Sequence, residues 1–311
     1  MLRRSIVWLS LVGAFVGCSS SEDGGSGATG NLQVFVVPEE TIVSGLEPGD
    51  GDENIHDGWK VEYTKFLVTV GNFRAQSTAG KTEFGDSTIY VLDLKNAPAG
   101  GYVTLDRKAI AATRFDKVGE DMPAASATAK KLPPTTDGDF KLMVDNGYAL
   151  YFEATMTKPD GKSCTPGKPA ECVDAKTVKL KWGFAMGTSF DDCASAQGDT
   201  GFAVPQGGTV QVKPTIHGDH WFFSDITEGA EVTKRLAQYI ADADLDHNGE
   251  TTLDELKSVK ATDAFPGDKY KLSGGVGGVP IATAYDYVKT QARTLHDFQG
   301  DGECPTRAIL K

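Results

Sequence analysis

Short runs in which apolar and polar residues strictly alternate, separated by Gly, Pro and Asn, fill the chain from residue 31 to about residue 216. This pattern constrains the fold more than any other feature. Successive side chains on a strand point to opposite faces, so alternation marks a strand with one buried face. Val178, Leu180, Trp182 and Phe184 share one face, while Lys179, Lys181 and Gly183 share the other. Tyr148, Leu150, Phe152, Ala154 and Met156 repeat the pattern. Trp59, Val61 and Tyr63 alternate, then Phe66, Val68 and Val70 resume out of phase, which predicts a β-bulge near Thr64 and Lys65. Segments 33–37, 88–92, 102–105 and 139–144 add further expected strands. Many short strands with turn signals and no helical pattern between them predict a mainly β fold, an antiparallel β-sandwich, rather than βαβ units.

The period changes near Ile226. Val232, Leu236, Tyr239 and Ala243 recur at helical spacing, as do Leu253, Leu256 and Val259. A third helix is expected over 281–296, with Ile281, Tyr285, Val288, Ala292 and Leu295 on one face, reached through a Gly-rich loop at 272–280. The expected organisation is therefore a sandwich over 31–223 and a small C-terminal helical module over 224–311.

Between the first two helical segments lies Asp-Leu-Asp-His-Asn-Gly-Glu-Thr-Thr-Leu-Asp-Glu, residues 244–255, which fits the calcium-loop pattern D-x-[DN]-x-[DN]-G-x5-E at every defined position. Calcium takes six to eight oxygen ligands. Asp244, Asp246 and Asn248 stand at loop positions 1, 3 and 5, and the carbonyl of Glu250 at 7. Thr252 or a water it holds stands at 9, and Glu255 at 12. Gly249 stands where the loop turns sharply. The segment resembles the EF-hand family, over this loop and its flanking helices only. The resemblance implies one bound Ca2+. It departs from the family at position 8, where Thr251 replaces the usual Ile, Leu or Val that pairs with a partner loop. Residues 297–303 begin in a similar way, with Asp297, Gln299, Asp301 and Gly302 at positions 1, 3, 5 and 6, but Ala308 would occupy position 12. A degenerate partner loop and a polar turn both remain open there.

Arg3 and Arg4 precede an apolar run over 6–16, which is the form of a signal peptide spanning 1–17 and is too short for a membrane span. Phe15-Val16-Gly17-Cys18 resembles the bacterial lipobox, with Phe in place of the preferred Leu. The resemblance implies lipidation of Cys18 and anchoring to the outer membrane, periplasmic or surface-exposed, since Ser19 follows the Cys. An ordinary secretory signal is the alternative. The Ser- and Gly-rich stretch over 18–30 reads as a flexible tether. The formal net charge of −12 argues against nucleic acid as a partner, because phosphate contacts need a basic face.

Of five Cys, four remain once Cys18 is set aside. In an oxidising envelope these make two disulfides, with three possible connectivities. Cys164 and Cys172 bracket a turn-rich segment, so a local Cys164–Cys172 bridge is expected, leaving Cys193–Cys304. The spacings match no zinc pattern.

His217-Gly-Asp-His220 follows an expected strand, and His217, Asp219 and His220, with or without distant His56, form a candidate second metal cluster. Imidazole and carboxylate suit Zn or Cu. Trp221-Phe-Phe223 reads as a hydrophobic plug between sandwich and helices. The acidic segment 50–57 reads as a solvated loop. The chain carries no G-x-S-x-G elbow, P-loop or H-E-x-x-H, so a binding or structural role is expected rather than catalysis. The alternative function is transition-metal binding through the His/Asp cluster. An unknown protein or ligand is the expected partner of the sandwich.

Overall fold

A computed structural model describes residues 27–226, 233–272 and 280–309. The signal segment, Cys18, most of the tether, Val232 and most of the Gly-rich loop lie outside the described residues. The fold is mainly β, as the alternation predicts. A nine-stranded sheet runs in the order Glu250–Thr251, Thr177–Phe184, Leu150–Thr157, Lys60–Ser77, Lys117–Met122, Gly187–Phe190, Thr306–Ile309. Thr82–Asp93 joins it alongside Lys60–Ser77 and also pairs with Lys130–Lys131. A five-stranded sheet runs Thr209–Val212, Thr29–Pro38, Pro214–Ile216, His296–Phe298, with Tyr102–Ala111 also on Thr29–Pro38. The register slips between Tyr63 and Lys65, at the predicted bulge. Buried residues alternate as expected in Leu150–Thr157 and in Thr177–Phe184.

The sheets are mixed rather than antiparallel. Thr29–Pro38 runs parallel to both Thr209–Val212 and Pro214–Ile216, and Thr177–Phe184 runs parallel to Glu250–Thr251. Parallel neighbours need long connections, and here strands from distant parts of the chain return to strands laid down earlier. The expected strand over 139–144 is instead a helix, Asp137–Asn146. Thr136 caps its N-terminus by accepting from the Asp139 N–H at 3.1 Å, and Gly147 closes it in the left-handed region at φ 61°. Phe140, Met143 and Val144, spaced by three and one, lie on one helical face that period-two reading disguises.

The C-terminal segment is less helical than its periodicity suggests, and three of its pieces are strands of the two sheets. The first helix is a single turn, Gln238–Asp242, with Leu236 ahead of it. The last is Ala284–Gln291, opened by a Thr283/Asp286 capping box and burying Ala284, Tyr287, Val288 and Gln291, while His296 lies in a strand. Side chains of both sheets and of these helices form one core. Its centre is a cluster of Tyr63, Phe66, Phe152, Trp182 and Trp221, with Phe152 and Trp221 stacked at 4.7 Å. The disulfides are Cys164–Cys172 and Cys193–Cys304, both as expected.

Candidate metal centres

The loop over 244–255 is wrapped around its own carboxylates. Asp244, buried, accepts from the Asn248 N–H at 3.0 Å and the Gly249 N–H at 2.9 Å. Asn248 Oδ1 accepts from the Glu250 N–H at 2.8 Å. Gly249 has φ +80°, where a Cβ is strained. Glu255 closes the loop: one oxygen accepts from the Leu245 N–H at 2.9 Å, the other from the Thr252 N–H at 2.8 Å in the capping box that opens Leu253–Ser258. One carboxylate oxygen from each of Asp244, Asp246 and Glu255 lies within 4.8 Å of the others. Three carboxylates converging on one small volume, with Asn248, Glu250 and Thr252 on the same loop, are a donor set for a hard divalent cation.

Thr251 has a role that the sequence does not announce. Glu250 and Thr251 pair in parallel with Lys179 and Leu180, adding an edge strand to the nine-stranded sheet. The buried Trp182 donates its indole N–H to the Thr251 carbonyl at 2.8 Å, and the Thr251 hydroxyl donates to the Ile240 carbonyl at 2.7 Å. The sheet edge thus stands where a partner loop would. Among the described residues, 297–303 does not form that partner. His296–Phe298 is a strand, Phe298 and Gly302 exchange backbone hydrogen bonds, and Gln299 bonds the backbone of Lys213 and Gln211.

The second cluster sits where strand Pro214–Ile216 ends, and it is buried rather than exposed. Asp219 is 0 % exposed, His217 5 % and His220 9 %. Gly218 lets the chain pass closely there, since a Cβ would lie 2.7 Å from Ile42 Cγ1. Trp221 anchors the segment by donating its indole N–H to the Tyr63 hydroxyl at 2.9 Å, which in turn donates to the Gly218 carbonyl. Three groups distant in sequence complete the cluster. Glu39 Oε2 lies 3.2 Å from His217 Nδ1, Asp297 Oδ2 lies 3.2 Å from His217 Nε2, and Arg235 Nε donates to Asp219 Oδ2 at 2.7 Å. His56 is outside this grouping and meets it only through its backbone N–H on the Arg235 carbonyl at 2.8 Å. The acidic segment 50–57 is a buttress rather than a free loop: Glu53 pairs with Arg235, and Asp57 accepts from the Ala237 and Gln238 N–H groups at the first turn of Gln238–Asp242.

The electrostatics are lopsided. Burial pushes Asp219 up to about 6, helped by the Glu39 charge, and pushes Asp297 up to about 8. Burial opposes a charge on His217, but Glu39, Asp297 and Asp219 around it prevail and raise it to about 10. Burial, then the His217 charge, hold His220 well below its usual value and keep it neutral. The balance is struck with protons on His217 and Asp297, beside the Arg235 charge on Asp219, and a bound cation would take the place of those protons.

A surface cleft lined by residues including Arg74, Phe84, Lys117 and Asp191 shares no residue with either cluster. No helix among the described residues is long and apolar enough to cross a membrane. No family model, curated protein or solved structure matches this chain.

Proposed function

We propose that this chain is a lipid-anchored envelope protein with a binding or structural role, built on a sandwich-type β body. In this reading one calcium ion held by Asp244, Asp246, Asn248, Glu250, Thr252 and Glu255 orders the C-terminal segment. The observation that carries it is the coincidence of two things in twelve residues. Three carboxylate oxygens converge, and the same loop is a strand of the nine-stranded sheet. A cation that fixes this loop also fixes the sheet edge and the Trp182 contact, so its action is to stabilise rather than to switch. The lipid anchor rests on Cys18 and the segment around it.

Thermal unfolding tests the ordering role. A loop of this type in an extracellular setting binds with Kd on the order of 10⁻⁴ to 10⁻³ M. Calcium at a hundred times Kd then adds about 2.7 kcal/mol, or roughly 4–5 °C in Tm for a protein of this size. The whole transition should move as one. A Tm indifferent to calcium, or an early partial transition alone responding, contradicts the reading.

A further inference from the structure

The most conspicuous unmet polarity in the core belongs to the second cluster, and it is independent of the calcium loop. Asp219 Oδ1 is buried and has no hydrogen-bond partner, and His217 Nε2 has only its ion-pair contact with Asp297 at 3.2 Å. Buried polar atoms are almost always paired, so an orphaned carboxylate oxygen aimed between two imidazoles asks for an occupant. Asp219 Oδ1 lies 3.9 Å from His217 Nδ1 and 4.0 Å from His220 Nε2. Glu39 Oε2 lies 3.2 Å from the same His217 nitrogen.

The far side of each inner group is already held. His220 Nδ1 is 2.8 Å from Thr294 Oγ1, and that hydroxyl donates to the Gln291 carbonyl at 2.9 Å. The hydroxyl proton is therefore used, so Thr294 accepts from His220 Nδ1–H and the Nε2 lone pair is left facing Asp219. Arg235 takes Asp219 Oδ2 and frees Oδ1. The carboxylate of Asp297 lies beside His217 Nε2 and leaves Nδ1 for the interior. Ligands whose second atom is fixed by a carboxylate, hydroxyl or guanidinium are how proteins orient a metal site.

We infer that His217 Nδ1, Asp219 Oδ1 and His220 Nε2, which lie within 4.8 Å of one another, form a three-donor site for a divalent transition metal of the zinc class, with Glu39 Oε2, 3.2 Å from His217 Nδ1, as the nearest further donor. Donors about 2.0–2.2 Å from zinc stand roughly 3.3–3.5 Å apart in a tetrahedron. The separations of 3.9 and 4.0 Å from Asp219 Oδ1 to the two imidazole nitrogens reach this by small side-chain shifts. Two imidazoles favour zinc over calcium, and the carboxylates of Glu39, Asp219 and Asp297 together balance a divalent ion and Arg235. His217, Asp219 and His220 are buried, which suits a structural metal rather than a solvent-open one. The metal holds the His220–Phe222 turn beside the last helix, and Glu39 brings to it the junction between strand Thr29–Pro38 and helix Glu40–Ser44.

The test uses the full chain in detergent, stripped with a strong chelator and then given zinc or cobalt(II). The wild type should bind one zinc with high affinity and show the intense visible bands of four-coordinate cobalt(II). Glu255→Gln, which alters only the calcium loop, should do the same. His220→Gln should weaken zinc at least a hundredfold and abolish the cobalt spectrum. Glu39→Gln, at the more exposed edge of the site, should weaken zinc about tenfold while folding normally, which keeps the test decisive if His220→Gln does not fold. Wild type without tight zinc, or zinc and cobalt signals unchanged in Glu39→Gln and His220→Gln, overturns the site. The protonated His217 would then be the cation that holds the carboxylates.

Discussion

Replacing Arg235 by Leu isolates what the buried charges cost. Arg235 is 7 % exposed and Asp219 0 %, and the guanidinium bonds Asp219 Oδ2 through both Nε and Nη2. Its contact with Glu53 contributes little, about 0–1 kcal/mol, because that carboxylate is 73 % exposed. Arg235 also donates to the Asp52 carbonyl and lies 5.4 Å over the Phe223 ring, but the buried charge of Asp219 carries the largest part of the effect. Removing one partner of a buried pair costs about 3–5 kcal/mol, since a charge is left without compensation. His217 remains 3.9 Å from Asp219, so the lower end, about 3 kcal/mol, is expected in the absence of metal. Against a total stability of about 5–15 kcal/mol this is large. Urea unfolding with chelator present should show the midpoint falling by about 1 M at unchanged slope. The double variant Arg235→Leu/Asp219→Asn should recover part of the loss, because it removes the stranded charge. A loss below about 1 kcal/mol for Arg235→Leu, or a double variant no better than the single, would refute the claim that Asp219 is a desolvated charge.

Other outcomes follow from the same structure. Asp191 accepts from Arg74 Nη2 and Arg307 Nε, both at 2.7 Å; burial works to raise its pKa, but these partners keep it lowered. A lowered folded value means that its stabilisation is complete above the unfolded pKa of about 4 and is lost as pH falls through the folded value. Asp191→Asn should flatten that acid limb of Tm against pH, and an identical limb in both proteins would exclude the contribution. The Cys193–Cys304 bridge spans 111 residues, so reducing it or substituting Cys193→Ser should cost about 4–5 kcal/mol in the chain-entropy view. A chemical denaturation curve unchanged by that substitution would speak against this. Metabolic labelling with a fatty-acid analogue should mark the wild type and not Cys18→Ser, and label in neither would remove the lipid anchor from the account.

What the sequence revealed follows the reach of local physics. Thr177–Phe184 and Leu150–Thr157 are legible because one face is buried and the other wet. Gly187–Phe190 is not, because all four residues are buried and no alternation exists to read. The helix Asp137–Asn146 was hidden by apolar residues that also alternate, although Thr136 and Gly147 mark its ends. The calcium-type loop is contiguous, so its ligand pattern shows in the sequence alone. The second cluster shows only in part: His217, Asp219 and His220 are adjacent, but Glu39, Arg235, Thr294 and Asp297 arrive through tertiary structure. Asp297 in particular was readable as the first position of a degenerate calcium loop, and the structure turns its carboxylate to His217 instead. The attachment of Thr251 to the edge strand Thr177–Phe184 is a non-local parallel pairing that no local pattern announces.

The central claim, one calcium ion on one loop, is tested most directly by titration calorimetry of the wild type and Glu255→Gln with calcium. Glu255 reaches both ends of the loop, with one oxygen at Leu245 and the other at Thr252, so replacing a single oxygen changes the site without disturbing the body. The wild type should bind one equivalent with Kd on the order of 10⁻⁴ to 10⁻³ M. Glu255→Gln should show no resolvable heat at the same concentrations. Equal heats from the two proteins, or none from the wild type, would contradict the account.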